Sequence, residues 1–433
     1  MNTFEMALLL NGYNINEAKR KLEALHKLKD EEYLEFQKQR LDEIVCFHRK
    51  NNPIYKKKTE GLQINSFEDL PVITKKDFQR PIKEIVSNGY KKSDLYIGCT
   101  SGSSGCPLSY AKNKYSHALS HAIVLSRMAD YGITPLCKQA RFYGSPLSGI
   151  SKYRALLKDI LANRVCFSTS DLSDQQLDCT VQKFKKIKFD YIYGYTSAIV
   201  LFAKYLDRNK IKFKEIAPNV TCCIVACEVC TSENRALLEN VFGVNVINEY
   251  GTSEVGIIAF GDDRDDWKIM TDDLYCEVVD ENNKPVPYGQ EGKLLITCLS
   301  NKAFPIIRYE VGDRGILEEK NGKLFLKKLA GRISDLIRLP SGRIAAGETF
   351  HYIQKSMIEK QGVLREFIVK QIQIDTFELD AVLERDLTSD EINNLNADLE
   401  TYLEPGLHLI INRQEKIERP DSGKLKFFYS MIN

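Results

Sequence analysis

From about residue 16 to residue 50, Leu22, Leu25, Leu28, Leu34, Phe36 and Leu41 recur at helical spacing among charged residues, which predicts an amphipathic helical stretch. The string Asn51-Asn52-Pro53-Ile54-Tyr55 breaks it, because the residue before a proline is pushed out of helical geometry. From about residue 96 to residue 297 the period alternates. Residues 96–100, 190–194, 221–227 and 244–251 read as strands, and 114–132, 197–209 and 232–243 as helices. That alternation predicts an α/β fold with an at least partly parallel sheet. Residues 274–299 then read as a hairpin-rich β portion, with Asn282-Asn283 and Tyr288-Gly289 as turns. Near the C-terminus, 367–374, 377–384 and 407–412 read as strands, and Thr388-Ser389-Asp390-Glu391 is a capping box opening a helix to about Tyr402. The expected organisation is a large N-terminal α/β domain with a β-rich portion, residues 1–333, and a small α+β C-terminal domain, residues 334–433. An active site would lie in the cleft between them.

Composition narrows the class. The chain has 433 residues, 43% apolar and 28% charged, so it can bury a large core without disulfides or metals. Its 61 basic and 59 acidic residues give a net charge of +2, which provides no broad field for nucleic acid or an anionic membrane. No apolar run approaches the ~20 residues that span a bilayer. Glu5 interrupts the first apolar stretch and no basic region precedes it, so no secretory signal is read. Twelve cysteines without an export signal point to reduced thiols and a cytoplasmic protein. Cys222, Cys223, Cys227 and Cys230 crowd one segment, and Cys227/Cys230 form a CxxC. Zinc would need a second ligand pair; a buried strand using cysteine as a small hydrophobe is the expectation.

Candidate chemistry begins at Thr100-Ser101-Gly102-Ser103-Ser104-Gly105, a loop of hydroxyls and glycines after a predicted strand. Its backbone N–H and hydroxyl groups can wrap phosphate oxygens. It is not a Walker loop, since no GK[ST] follows, and taken alone such a string is more often a plain flexible turn. Four further strings follow. Asn248-Glu249-Tyr250-Gly251-Thr252-Ser253-Glu254 ends a strand, and Arg308-Tyr309-Glu310-Val311-Gly312-Asp313 ends the β portion. Gly331-Arg332-Ile333-Ser334-Asp335 opens the small domain, and Asp421-Ser422-Gly423-Lys424 lies near the C-terminus. Singly, Glu254 could be an acid at a helix start, Asp313 a turn residue and Lys424 a solvated lysine. His117 and His121 share a helix face, where partial burial is expected over metal binding. Residues 183–188 (KFKKIK) read as a solvated helix face that coenzyme A phosphates could also use. Phe142, Tyr143, Tyr193 and Tyr195 sit near strand ends, as acyl-pocket or core residues.

In this order and spacing, over residues 96–426, the chain resembles the acyl-adenylate-forming (ANL) superfamily of acyl-CoA synthetases, peptide-synthetase adenylation domains and luciferase. Those proteins carry TSG[ST]TGxP, YGxTE, a GD string, GRxDD and a C-terminal GK. Residues 51–58 (NNPIYKKK), 70–78 (LPVITKKDF), 191–199 and 297–313 resemble the phenylacetate–CoA ligase branch and its CapK-type relatives.

The resemblance implies ATP, Mg²⁺ and coenzyme A as cofactors, a carboxylic acid as substrate, and a mobile small domain. Thr100, Ser101, Gly102, Ser103, Ser104 and Gly105 would clamp the β/γ-phosphates. Glu228, in the 226–228 loop, and Tyr250 would flank adenine, with Asn248, Glu249, Gly251 and Thr252 in the same nucleotide site. Glu254 would hold Mg²⁺, which prefers oxygen ligands. Asp313 would accept from the ribose hydroxyls, and Arg332 would lie near the ribose and α-phosphate. Lys424 would stabilise charge as the acid attacks the α-phosphorus. The implied function is acyl-AMP formation followed by transfer to a thiol, with coenzyme A as acceptor. A carrier protein, a sugar amine in polysaccharide assembly, or a non-catalytic nucleotide-binding role are the alternatives. A homodimer is compatible with all of these. Three departures stand out. No lysine follows Pro107, Ser334 replaces the first aspartate of GRxDD while Asp335 keeps the second, and residues 259–273 lack Cys and His, so no zinc is expected there.

Overall fold

The computed structural model describes residues 3–100, 108–144, 149–228, 230–262, 264, 267–330, 336–350, 353, 363–417 and 428–432. The helical stretch expected over residues 16–50 is two helices, Ile15–Leu25 and Asp30–Asn51, and a short helix, Thr3–Leu10, precedes it. Asn14 caps Ile15–Leu25 by accepting from the Glu17 amide. Leu22, Leu25 and Leu41 are buried, but Leu34 and Phe36 stay exposed because the helix Asp30–Asn51 lies on the surface. The Asn52-Pro53 break starts a new helix, Pro53–Thr59: the proline occupies its first turn and the Asn52 side chain accepts from the Tyr55 amide.

A ribbon of β1 (Leu95–Cys99) and antiparallel β2 (Ser109–Asn113) precedes the helix Lys114–Ala129. The central sheet has eleven strands. They are β3 (Gln139–Phe142), β4 (Arg164–Phe167), β5 (Tyr191–Tyr195), β6 (Cys222–Ala226), β7 (Asn245–Thr252), β8 (Gly256–Gly261), β9 (Lys268–Ile269), β10 (Leu274–Val279), β11 (Glu291–Cys298), β12 (Tyr309–Lys320) and β13 (Lys323–Ala330). Their order is β10-β11-β12-β13-β9-β8-β7-β6-β5-β3-β4. From β7 to β4 every pairing is parallel, and from β7 to β10 every pairing is antiparallel. The predicted α/β layering thus occupies one half of the sheet, and the hairpin-rich portion continues it as the other. Apolar clusters bury both halves. One gathers around Phe142, Phe184, Phe202 and Phe242, and the other around Phe78, Phe304 and Tyr309.

The string at 308–313 does not close the β portion; it opens the twelve-residue β12. Glu310 faces Leu295 and Arg314 faces Lys293, so three residues of β12 bulge out opposite the single residue Leu294. Gly312 takes a positive φ of 83° inside that bulge. Bulges re-aim side chains, and this one displays Asp313.

The C-terminal unit has its own core around Phe350, Phe367, Phe377 and Phe428. It combines a hairpin, β14 (Leu336–Arg338) and β15 (Ile344–Ala346), with a four-stranded sheet. That sheet orders β16 (Leu364–Gln371), β17 (Thr376–Leu383), β18 (His408–Arg413) and β19 (Phe428–Ser430) as β18-β17-β16-β19. The capping box forms as expected: Thr388 and Glu391 exchange hydrogen bonds at the start of helix Ser389–Tyr402. The hairpin hooks onto the large domain, where the Leu172 amide donates to the Ile344 carbonyl at 2.7 Å and Arg343 donates to the Ser170 carbonyl at 2.7 Å. Residues 331–335, where the domain boundary was expected, are outside the described residues. No described helix is long and apolar enough to cross a membrane.

Candidate active site

The site is built where β7 turns back into β8. The Tyr250–Gly251 step is a bulge in that pairing. A Cβ on Gly251 would stand 2.3 Å from the Gly256 carbonyl oxygen, so only glycine permits so tight a return. The turn buries Glu254, which is 2% exposed, and begins no helix. Tyr309, the first residue of β12, donates its hydroxyl to Glu254 Oε1 at 2.8 Å. In the reverse sense Tyr250 donates to Asp313 Oδ2 at 2.8 Å. Two motifs some sixty residues apart are thereby cross-tied, each giving a tyrosine to the other's carboxylate.

Glu254 is a buried carboxylate held in place by one tyrosine hydroxyl, and a carboxylate is the kind of oxygen ligand a hard cation prefers, so the residue fits the Mg²⁺ role. Beside it stands Lys112 on β2, which the sequence reading missed. Its ammonium is buried and donates to the Val255 carbonyl at 2.8 Å. Burial pushes its pKa down, opposed by nearby Cys298, Asp273 and Glu254. Nothing in the sequence announces it: Tyr110, Ala111 and Lys112 are buried in succession on β2, where an exposed lysine is the ordinary expectation.

Thr100 closes the base of the string expected to wrap phosphate. Its amide donates to the Leu108 carbonyl at 2.9 Å, and its hydroxyl accepts from the Leu108 amide at 3.0 Å. Ser101, Gly102, Ser103, Ser104 and Gly105 lie outside the described residues, as do Arg332, Ser334, Asp335 and Lys424.

The remaining nucleotide candidates separate. Asn248 accepts from Trp267 Nε1 through its backbone carbonyl at 3.1 Å. Gly251 and Thr252 sit in the turn already described. Glu228 caps the helix Thr196–Arg208 from outside: its carboxylate accepts from the Ser197 amide at 2.6 Å and hydroxyl at 2.9 Å. Burial pushes its pKa up to about 7, against those hydrogen bonds. Its carboxylate is thus committed to a helix end. Glu249 points away from Tyr250 and accepts from the Tyr193 hydroxyl at 2.8 Å; burial raises it, too, to about 7. It belongs with the aromatics Tyr143, Tyr193 and Tyr195 at the strand ends, where the rings of Tyr143 and Tyr195 lie 4.2 Å apart. Phe142, by contrast, is core.

Cys222 and Cys223 are buried in β6 as small hydrophobes, and Cys227 is exposed at a positive φ of 70°. Among the described residues no cluster of His, Cys, Asp or Glu is arranged to hold a metal. His117 stacks on Tyr96 at 4.3 Å and His121 packs edge-on to Phe4 at 5.5 Å. Lys183, Lys185 and Lys186 form an exposed helix face above the buried Phe184.

No family model matches the chain. It is 23% identical over 425 residues to Protein CapK of Staphylococcus aureus, covering 92% of this chain and 89% of that one. It is 23% identical over 350 residues to the phenylacetate-coenzyme A ligase of Escherichia coli (strain K12), covering 73% and 75%. Among solved structures, an open conformation of 2-hydroxyisobutyryl-CoA ligase in complex with 2-HIB-AMP and CoA superposes with a TM-score of 0.57 at 19% identity, over 91% of each chain. That likeness carries the fold. The chain is a homologue of CapK and of the phenylacetate–coenzyme A ligases, and it has the fold of the acyl-adenylate-forming superfamily.

Proposed function

We propose that this protein activates a carboxylic acid with Mg·ATP, forming an acyl-adenylate and pyrophosphate, and then passes the acyl group to the thiol of coenzyme A. The observation that carries the reading is the reciprocal tie of Tyr250 to Asp313 and Tyr309 to Glu254. Asp313, oriented by Tyr250, accepts from the ribose hydroxyls. Glu254 holds Mg²⁺, which neutralises phosphate charge when bound. Thr100 anchors the string whose Ser101, Gly102, Ser103, Ser104 and Gly105 have the role of wrapping the β/γ-phosphates, and Arg332 has the role of meeting the α-phosphate. Adenylation is required because a carboxylate is a poor electrophile until one of its oxygens becomes a leaving group. Lys424, on a lid comprising residues 334–433, meets the charge that develops at the α-phosphorus. Rotation of that lid then admits the thiol. A reducing, cytoplasmic setting suits the buried thiols of β6. The exposed Ile150, Tyr153, Leu157 and Ile160 on helix Gly149–Leu161 offer a surface for a homodimer.

Carboxylate-dependent exchange of pyrophosphate into ATP tests this. One acid class should support exchange, and Lys424→Ala should abolish it. ATP binding without exchange for any acid would overturn the ligase reading. The alignment to CapK spans more of the chain than that to the coenzyme A ligase, 92% against 73%. This supports a second reading for the acceptor, a carrier-protein thiol or a sugar amine, which acyl transfer from pre-formed adenylate would separate from coenzyme A.

A further inference from the structure

Among the described residues, Arg141 is a cationic group near the carboxyl ends of the parallel strands that the nucleotide chemistry leaves unused. It sits on β3, in register with Tyr193 on β5. In open α/β sheets this edge is where ligands bind. The guanidinium carbon lies 4.4 Å from the ring centroid of Tyr143 and 4.9 Å from that of Tyr193. Contact of this kind occupies the faces of the guanidinium and leaves its in-plane N–H donors available. Among the described residues those donors have one protein partner, Gln139 Oε1, at a long 3.4 Å. Gln139 is itself engaged, donating to the Tyr191 hydroxyl at 2.8 Å.

No carboxylate among the described residues forms an ion pair with Arg141. Glu249 is the nearest candidate in the crevice, but Tyr193 takes its hydrogen bond and it stays beyond ion-pair distance. A half-buried guanidinium that feels Glu249 only from beyond ion-pair distance is costly to keep, since burial of a charge without a close partner is unfavourable. A purely apolar acyl tail would bury it further and give nothing back to its N–H donors. A second carboxylate on the substrate would give the fork a bidentate partner.

We infer that Arg141 sets the specificity of the acid subsite, and that the acid it selects carries a second carboxylate at the end remote from the reacting one. This rests on the ligase reading above. Tyr143 and Tyr193 act as the platform that holds the guanidinium flat, and Glu249 with its tyrosine closes the far side of the crevice.

The test is pyrophosphate exchange with pairs of acids of equal chain length, one ending in a carboxylate and one in a methyl group, from three to six carbons, with phenylacetate alongside. Diacids should exceed their methyl-ended counterparts by at least tenfold in kcat/KM at one chain length. Arg141→Met should collapse that ratio toward one, and Arg141→Lys should restore part of it. A purely structural arginine would lower both members of each pair alike and leave the ratio unchanged, which would overturn the inference. So would preference for phenylacetate or a methyl-ended acid in the native protein. Exchange with none of the acids, with ATP binding intact, would instead sink the ligase reading and this inference with it. ATP affinity measured on each variant separates loss of fold from loss of selectivity.

Discussion

Tyr250 donates its hydroxyl to Asp313 at 2.8 Å, across a gap of sixty-three residues. The bond holds the carboxylate in one orientation. A hydrogen bond to a charged group is worth about 1.5–3 kcal/mol. Asp313→Ala should therefore weaken ATP binding by roughly 10- to 100-fold, and Tyr250→Phe by about tenfold or less, both read by calorimetric titration. Equal, negligible effects would remove Asp313 from the nucleotide site.

Glu254→Gln keeps the acceptor for Tyr309 and removes the charge. It should raise the Mg²⁺ concentration required for pyrophosphate exchange by about tenfold or more, with thermal stability nearly unchanged. Tyr309→Phe should act in the same direction and more weakly. An unaltered Mg²⁺ dependence in both variants would assign the metal to other ligands.

Arg308 is 1% exposed and takes a positive φ of 44°. It binds the Glu68, Leu70 and Asn283 carbonyls at 2.5, 2.8 and 2.9 Å, and pairs with Glu277 at 3.2 Å. Burial raises the Glu277 carboxyl to about 7, with Arg308 pulling it down. Lysine cannot reproduce a planar fork with several partners. Arg308→Lys should cost about 3 kcal/mol, since it leaves buried polar groups unpaired; chemical denaturation would measure it.

His48 is fully buried, with Nε2 at 3.0 Å from the Asn301 carbonyl oxygen, and burial depresses its pKa to about 4 from an ordinary 6.5. Its contribution to stability is complete above pH 6.5 and is lost as the pH falls toward 4. His48→Gln should therefore flatten the decline in melting temperature between pH 6.5 and pH 4. Identical pH profiles for the two proteins would show that other groups dominate acid unfolding.

Much of this was readable from residues alone. The helices beginning at Lys114, Ser232 and Ser389 carried clear periodicity, and the parallel strands β5, β6 and β7 were short apolar runs between helices. The motif strings named Tyr250, Glu254 and Asp313, but not the exchange of tyrosines between them, which depends on a non-local register and a three-residue bulge. Local pattern also cannot report tertiary demand. Glu228 looked like part of a nucleotide loop, yet its carboxylate caps a helix thirty residues upstream in sequence. Lys112 and Arg141 sit on short strands where a single inward charge resembles ordinary polar alternation. The turn after Leu25, which divides one amphipathic pattern into two helices, has no proline or glycine to announce it.

The hook between Ile344 and Leu172 turns domain motion into something countable. Any swing of the C-terminal unit that carries β15 with it must break the backbone bond at 2.7 Å and release Arg343 from Ser170. Each round trip then opens and recloses one small, local clasp between β15 and the segment at residues 170–172. A dye on Ser170 and a quencher on Arg343 would blink once per cycle, and the dark interval between blinks would be a dwell time for the closed arrangement, read molecule by molecule.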